Sequence, residues 1–478
     1  MEARIKPPVL PEVTIIGRWQ NQEEALRFAM SHPACMLDMD MGTGKTRVAI
    51  DAAFAHRDVC RVLVVCPKAV IPVWRENLQK FAPDNRAWSC WDLNKGTVKT
   101  KSESLTEWFH NQQGFSKQFV VMNYDCVWRA PMGDQVLKAF FDMVILDESH
   151  RAKAAGSKVS KYLAMLGKRV KYRMCLSGTP MANSPLDVYG QYRFLDPSIF
   201  GTNHSRFLQE YAIMGGPDMQ YVVGYKNQKI LSAKFRSIAY SCKMADVADR
   251  IKLPATLPPM TRMVDLPAKD IKMSKELSKD FIAGCSAGTV VVANVLAKMI
   301  RLQQITSGYC PVQEGPGEEA KACELNRVKE DSLLDILTDV SPNSSVVVFC
   351  KFRHDIESIF SAAIRAGRKV YELSGSQNSL DDWKHDPGSV IAVQIGAGAE
   401  GVDMTMANVA VYFSLPYSMA QYNQSMARLY RPGQTKPVTF IHLLARGTID
   451  ESIYKSLLNK KDIVESIKDG TFDLGYIK

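Results

Sequence analysis

Three short segments of this chain carry residue types that together could bind and split a nucleoside triphosphate. Met41-Gly42-Thr43-Gly44-Lys45-Thr46 has the glycines, lysine and hydroxyl of a phosphate-binding loop. Glycines let successive backbone N–H groups turn toward phosphate oxygens, and the N-terminus of a following helix adds a positive dipole. Lys45 then meets the β- and γ-phosphates while the Thr46 hydroxyl binds Mg²⁺. Asp147-Glu148-Ser149-His150 follows the apolar run Val144-Ile145-Leu146. There Asp147 would take the magnesium ion, and Glu148 would orient or deprotonate the attacking water. The third segment runs from Gln424 to Gln434 and holds Arg428 and Arg431, three apart, before Pro432-Gly433. If the segment is helical both guanidinium groups share a face, and one could neutralise charge growing on the γ-phosphate.

Each segment alone has a plainer reading: a chance match to the loop pattern, an acidic loop with helix-capping carboxylates, or a solvated basic helix face or phosphate-backbone contact. Met39 also stands where a phosphate loop usually has a small residue. The order and separation of the three argue for the set.

The elements that would position these residues are strand-like apolar runs alternating with helical patterns. Residues 61–66, 119–122, 143–146 and 172–176 form such runs in the first half, and 345–349, 369–373, 390–394, 409–413 and 438–443 in the second. Continuous rather than alternating apolar strands imply parallel sheets covered on both faces. The fold class is α/β, with two lobes of similar size and Asp147-Glu148 at the carboxyl edge of a buried strand. Leu253 to Pro259 holds three prolines in seven residues, which neither a helix nor a central strand accommodates. This places the division at 1–255 and 256–478. Segments 203–250 and 268–308 lack the strand pattern; the latter, with Val291, Leu296, Met299, Ile300 and Ile305 in helical rhythm, reads as helices packed at the lobe junction. Gly315 to Ala320 reads as a surface loop.

The chain has 478 residues, 46% hydrophobic and 23% charged, which is ordinary globular composition and excludes a disordered chain. A net charge of +10 is compatible with a polyanionic partner without proving one. The 11 cysteines form no Cys-x-x-Cys pair and no zinc-spaced set, so they are expected as reduced residues, with no zinc site. The N-terminal residues lack the apolar stretch of a signal peptide, and no run of about 18 apolar residues occurs. A cytoplasmic, DNA-associated protein without a membrane partner is expected.

With these motifs the chain resembles the superfamily 2 helicase-like ATPases, and within them the SWI/SNF family of double-stranded DNA translocases. The resemblance runs from about Ile16 to Ile453. Gln22 is similar to the adenine-reading glutamine that precedes the phosphate loop in that family. Cys66-Pro67-Lys68 with Trp74, and Asn123-Tyr124, resemble its DNA-side motifs. Leu176 to Asn183 resembles its coupling motif, Val348 to Phe352 its fourth motif and Gly401 to Thr405 its fifth. The resemblance implies two tandem RecA-like lobes with helical insertions near their junction, and ATP with Mg²⁺ as cofactors. It further implies a role for Gly401 and Asp403 at the nucleotide, and coupling of hydrolysis to DNA tracking through His150, Ser177, Thr179 and Gln424. Backbone contacts to duplex DNA are implied for Lys68, Asn123, Tyr124 and Lys351. A recruiting protein would be a further partner, and the compact length resembles bacterial or phage-type members. Gly401-Val402-Asp403 departs from the Gly-Leu-Asn common in the family.

Gly396-Ala397-Gly398-Ala399-Glu400-Gly401 also fits a dinucleotide-binding fingerprint. That fold needs a crossover helix and an acidic residue about 20 positions on. Here a strand-like run begins at Val409, and the positions around 421 are glutamine and tyrosine. The glycines fit better as a loop approaching a backbone closely. The expected function is therefore a DNA-stimulated ATPase that translocates on duplex DNA. Strand unwinding or fork remodelling by the same site is the alternative, and a nucleotide-gated DNA-binding module with little turnover is a reading of another class.

Overall fold

Apolar runs rich in valine and leucine become parallel strands whose alternate residues enter opposite cores. The computed structural model describes residues 17–83, 87–94, 96–111, 114–181, 184–215, 221–247, 253–254, 257–280, 282–285, 288–291, 295–312, 321–396 and 402–459. The chain divides into two units, Met1–Lys252 and Leu253–Lys478.

In the first unit the strands are β1 (Ala34–Met39), β2 (Arg61–Cys66), β3 (Trp88–Asp92), β4 (Lys117–Asn123), β5 (Met143–Asp147), β6 (Tyr172–Ser177), β7 (Ala212–Gly215), β8 (Tyr221–Tyr225) and β9 (Ala239–Cys242). Seven form one sheet in the order β3-β4-β2-β5-β6-β1-β9, parallel throughout. Helices α1 (Gln20–Ser31), α2 (Lys45–Ala55) and α3 (Ile71–Phe81) cover one face, where Val62, Val64 and Ile145 meet Leu26, Val48 and Trp74. The helices Lys158–Gly167 and Val188–Leu195 cover the other, against Leu63, Val65 and Leu146.

The second unit holds β10 (Met260–Val264), the hairpins β11–β12 (Ile282–Cys285, Gly288–Val291) and β13–β14 (Tyr309–Val312, Lys321–Glu324), then β15 (Val346–Cys350), β16 (Val370–Leu373), β17 (Val390–Gln394), β18 (Val409–Tyr412) and β19 (Thr439–Ala445). Its main sheet has the order β10-β19-β18-β15-β17-β16, again parallel throughout.

The segments expected to lack strands are corrected in part. Residues 203–250 form helices but also the antiparallel hairpin β7–β8 and the strand β9, which joins the main sheet beside β1. Residues 268–308 form the expected helices Ala268–Asp280 and Val295–Thr306, with β11–β12 between them. Strands of four or five residues, several at a sheet edge, leave no long apolar run to recognise. Ala255 and Thr256, at the expected division, and the expected loop Gly315 to Ala320 lie outside the described residues.

Lys329 and Asp450 form an ion pair of 2.7 Å with both side chains almost wholly buried. Lys329 also donates to the Phe413 carbonyl at 3.0 Å, and Asp450 accepts from Thr306 Oγ1 at 2.9 Å and Ala445 N at 3.1 Å. Removing one member strands the other in the core, so Lys329→Met is expected to lower the unfolding free energy by about 3–5 kcal/mol. Chemical denaturation followed by circular dichroism checks this; an unchanged midpoint contradicts it.

Among the described residues no helix is long and apolar enough to cross a membrane, and no group of three or more His, Cys, Asp or Glu forms a metal cage. The cysteines described are free, most of them buried, with Cys60 exposed.

Candidate active site

Because the strands are parallel, their carboxyl ends share one edge of the first sheet. The register sets Cys66 beside Asn123, Asp147 beside Leu176 and Asp38 beside Ser177. Every candidate residue of this unit except Gln22 therefore sits on or just beyond that edge.

After β1 the chain turns through Gly42 (φ 81°) and Gly44 (φ 96°) into α2, whose first residues are Lys45 and Thr46. Thr43 is fully buried, its hydroxyl donating to the Asp40 carbonyl at 2.6 Å. Lys45 Nζ donates to the carbonyls of Met39 (2.6 Å) and Asp40 (3.2 Å). Burial lowers the Lys45 pKa, while Glu148, Asp147, Asp40 and Asp38 oppose that shift. Met39 departs from the usual pattern; its side chain lies in the core, and its carbonyl accepts from Lys45 Nζ. Met41, half-buried, lies in the turn itself.

Gln22 is buried in the first turn of α1. Its Oε1 accepts from Trp19 N at 3.1 Å and its Nε2 lies 3.5 Å from the Thr43 carbonyl, to which Asn21 Nδ2 donates at 3.0 Å. Arg18 holds this helix against α2, bonding Asp51 and Glu23 at 2.8 Å each. A Cβ at residue 44 would lie 2.2 Å from Gln22 Nε2, in a backbone conformation that side chains rarely adopt. Gly44→Ala is therefore expected to lower stability by about 1–3 kcal/mol and nucleotide affinity at least ~10-fold, because the loop N–H groups would be displaced. Thermal unfolding and titration with a fluorescent nucleotide read the two effects.

Asp147 ends β5. Its Oδ2 accepts from the indole of Trp74 at 2.8 Å, its Oδ1 from Glu148 N at 3.0 Å, and its main-chain carbonyl from the Tyr124 hydroxyl at 2.9 Å. Burial, and then the neighbouring Glu148 carboxylate, push its pKa up to about 6. Glu148 has left-handed backbone angles (φ 52°, ψ 53°), which turn its side chain away from the strand direction. His150 Nδ1 lies 3.4 Å from Glu148 Oε2 and 3.4 Å from Ser177 Oγ, which in turn accepts from Thr179 N at 3.1 Å. Glu148, His150, Ser177 and Thr179 thus form one polar chain between the ends of β5 and β6. Gln191, absent from the sequence reading, braces it. It accepts from Ser149 Oγ at 2.7 Å and donates to the Pro180 carbonyl at 2.7 Å. No sequence signal distinguishes this glutamine from others on a helix.

A magnesium ion held with a nucleotide fits these residues. Mg²⁺ usually takes one or two carboxylates and a hydroxyl beside phosphate oxygens, rather than a protein-only cage. Two adjacent buried carboxylates that raise the pKa of one of them are relieved by a cation, and Lys45 with the α2 N-terminus complements phosphate.

In the second unit the helix Met419–Met426 carries Gln424 but stops before Arg428. Arg428 and Arg431 therefore lie in turns, which corrects the expectation of a shared helix face. Arg428 is buried, its carbonyl accepting from Met404 N at 3.1 Å, and Arg431 Nη1 donates to the Val402 carbonyl at 3.2 Å. Gln434 Nε2 donates to the Ala407 carbonyl at 2.8 Å. The segments 402–407 and 428–434 are thereby joined. Asp403 is exposed and accepts from Thr405 N and Oγ1 at 2.9 and 2.8 Å. Gly401 and Asn183 lie outside the described residues. Residues 402–408, leading to β18, contain no helix, contrary to a dinucleotide crossover.

Two of the residues expected on the DNA side have internal partners. Tyr124 is buried, with its hydroxyl committed to Asp147. Lys351 turns inward over the Tyr417 ring, its Nζ 3.1 Å from Gln303 Oε1, and burial lowers its pKa to about 6. Lys68 is exposed on the turn that leads into α3, and Asn123 is half-buried at the end of β4.

Two parallel α/β units, one with a phosphate loop opening a helix beside paired carboxylates, define a tandem RecA-like protein. The SNF2-related domain model matches residues 17–307, more than half of the chain, and the helicase conserved C-terminal domain model matches 328–433. The chain belongs to the SWI/SNF family of superfamily 2 helicase-like ATPases. It is 24% identical over 495 residues to the human DNA repair and recombination protein RAD54-like, covering 94% of this chain and 64% of that one. It is 25% identical over 455 residues to the SWI/SNF-related matrix-associated actin-dependent regulator of chromatin subfamily A-like protein 1 of Xenopus tropicalis, covering 92% of this chain and 44% of the relative. The Sulfolobus solfataricus SWI2/SNF2 ATPase core in complex with dsDNA is 20% identical, with a TM-score of 0.43 over 98% of this chain and 95% of that one. The chain spans between 40% and 64% of the length of these and similar curated relatives.

Proposed function

We propose that the chain is a DNA-stimulated ATPase that translocates on double-stranded DNA. The observation that carries this is the polar chain Glu148–His150–Ser177–Thr179, which links the hydrolytic carboxylates to the coupling segment at the edge that also bears the phosphate loop. Lys45 binds the outer phosphates, Thr46 and Asp147 hold Mg²⁺, and Glu148 orients or deprotonates the water. Gln22 reads the adenine. Magnesium, when bound, neutralises charge on the transferred phosphoryl group. Arg428 and Arg431 from the second unit, with Gly401 and Asp403, complete the nucleotide site, and Gln424 takes part in coupling. In the proposed cycle, a closed state that binds ATP more tightly than an open one biases closure.

Duplex DNA is the proposed partner, engaged through its backbone by Lys68 and Asn123 in a DNA-associated, cytoplasmic role, with a recruiting protein directing it. Backbone contacts carry no sequence information, so affinity should be nonspecific and fall steeply with salt. The test is ATP turnover with and without blunt duplex DNA, beside Lys45→Ala. Duplex should stimulate the wild type, and Lys45→Ala should abolish turnover under both conditions. Turnover indifferent to DNA, or unchanged in the variant, contradicts the proposal.

A further inference from the structure

Two segments that lead from the DNA-side positions end on one residue of the hydrolytic site. The turn at Lys68 leads into α3, and α3 carries Trp74, which is fully buried among Ile71, Leu78 and the strand residues beneath them. Its indole donates to Asp147 Oδ2 at 2.8 Å. Asn123 ends β4 and directly precedes the short helix Tyr124–Val127, and the Tyr124 hydroxyl donates to the Asp147 carbonyl at 2.9 Å. The third donor, Glu148 N, comes from the next residue of Asp147's own segment. Both orientations of Asp147 that matter, its carboxylate plane and its backbone, are thus held by side chains on the helices that follow β2 and β4.

We propose that Trp74 and Tyr124 are positioning residues that couple duplex occupancy of the β2 and β4 loop edge to the metal-holding geometry of Asp147. The inference rests on the function proposed above and adds to it a route within the first unit. An indole bond to a buried carboxylate is charge-assisted and strongly directional. A rigid, well-packed helix moves as a body, so a shift of its Lys68 end is delivered to Asp147 rather than absorbed on the way. Tyr124 acts in the same sense from β4. Because coupling is reciprocal, duplex DNA must change the affinity for the magnesium nucleotide by the same factor that the nucleotide changes affinity for DNA.

The experiment is equilibrium binding of a fluorescent ADP analogue with Mg²⁺, with and without saturating blunt duplex, in the wild type, Trp74→Phe and Tyr124→Phe. Duplex is expected to shift the wild-type Kd at least ~5-fold, a shift within the usual range of such coupling. The shift should fall below about 2-fold in both variants, while duplex affinity without nucleotide is unchanged. Tyr124→Phe keeps the ring and loses only the hydroxyl, so it answers the question even if Trp74→Phe folds poorly. A wild-type-sized shift in Tyr124→Phe, or in a folded Trp74→Phe, overturns the inference. So does a wild type that binds duplex and nucleotide with no mutual effect. A wild type that binds no duplex, or no nucleotide with Mg²⁺, is a different result and removes the functional reading and the inference together.

Discussion

Glu148→Gln is expected to lower DNA-stimulated ATP turnover about 10²–10⁴-fold, the range associated with a lost general base, while Mg²⁺-nucleotide affinity stays within a few-fold. The substitution keeps the size and hydrogen-bonding capacity of a nearly buried side chain that lies beside His150. It removes one of two adjacent buried carboxylates, and that neighbour is, after burial, the largest cause of the raised Asp147 pKa. Asp147 should therefore ionise more readily in the variant and hold Mg²⁺ at least as well. Single-turnover hydrolysis alongside nucleotide titration separates the two effects. Turnover close to wild type would remove Glu148 from the chemistry.

Arg431→Ala is expected to reduce turnover about 10³-fold or more, the effect associated with an arginine finger, with nucleotide affinity reduced less than tenfold. Its Nη1 donates to the Val402 carbonyl at 3.2 Å, and in the proposed role the other N–H groups of the planar guanidinium are the ones that would meet phosphate oxygens. Arg431→Lys should restore only a small part of the rate, since an ammonium keeps the charge and loses the fork. Turnover retained in Arg431→Ala, with only stability lowered, would make the residue a structural brace between the segments 402–407 and 428–434.

Much of this was legible in the sequence because it is local. The strands β2, β5 and β17 are continuous apolar runs, and the phosphate loop and Asp147-Glu148 are contiguous motifs at strand ends. The edge strand β3 escaped because each of its five residues is only half-buried, so Trp88 to Asp92 mixes polar and aromatic types without a run. β10 escaped for the same reason, with three of its five residues exposed. The bonds that orient the site join distant positions. Trp74 and Asp147 are 73 residues apart, and Ser149 and Gln191 are 42 apart, spacings that carry no periodicity. Nor does residue type tell which way a side chain turns at the end of a strand. Tyr124 and Lys351 are of types that suit a DNA surface, yet Tyr124 is buried and both side chains have internal partners.

Translocation itself is tested most directly by displacement of the third strand from a triplex joined to duplex DNA, with forked-duplex unwinding measured in parallel. ATP-dependent triplex displacement by the wild type, absent in Glu148→Gln and without comparable fork unwinding, is the predicted result. Robust fork unwinding with no triplex displacement would contradict a duplex translocase.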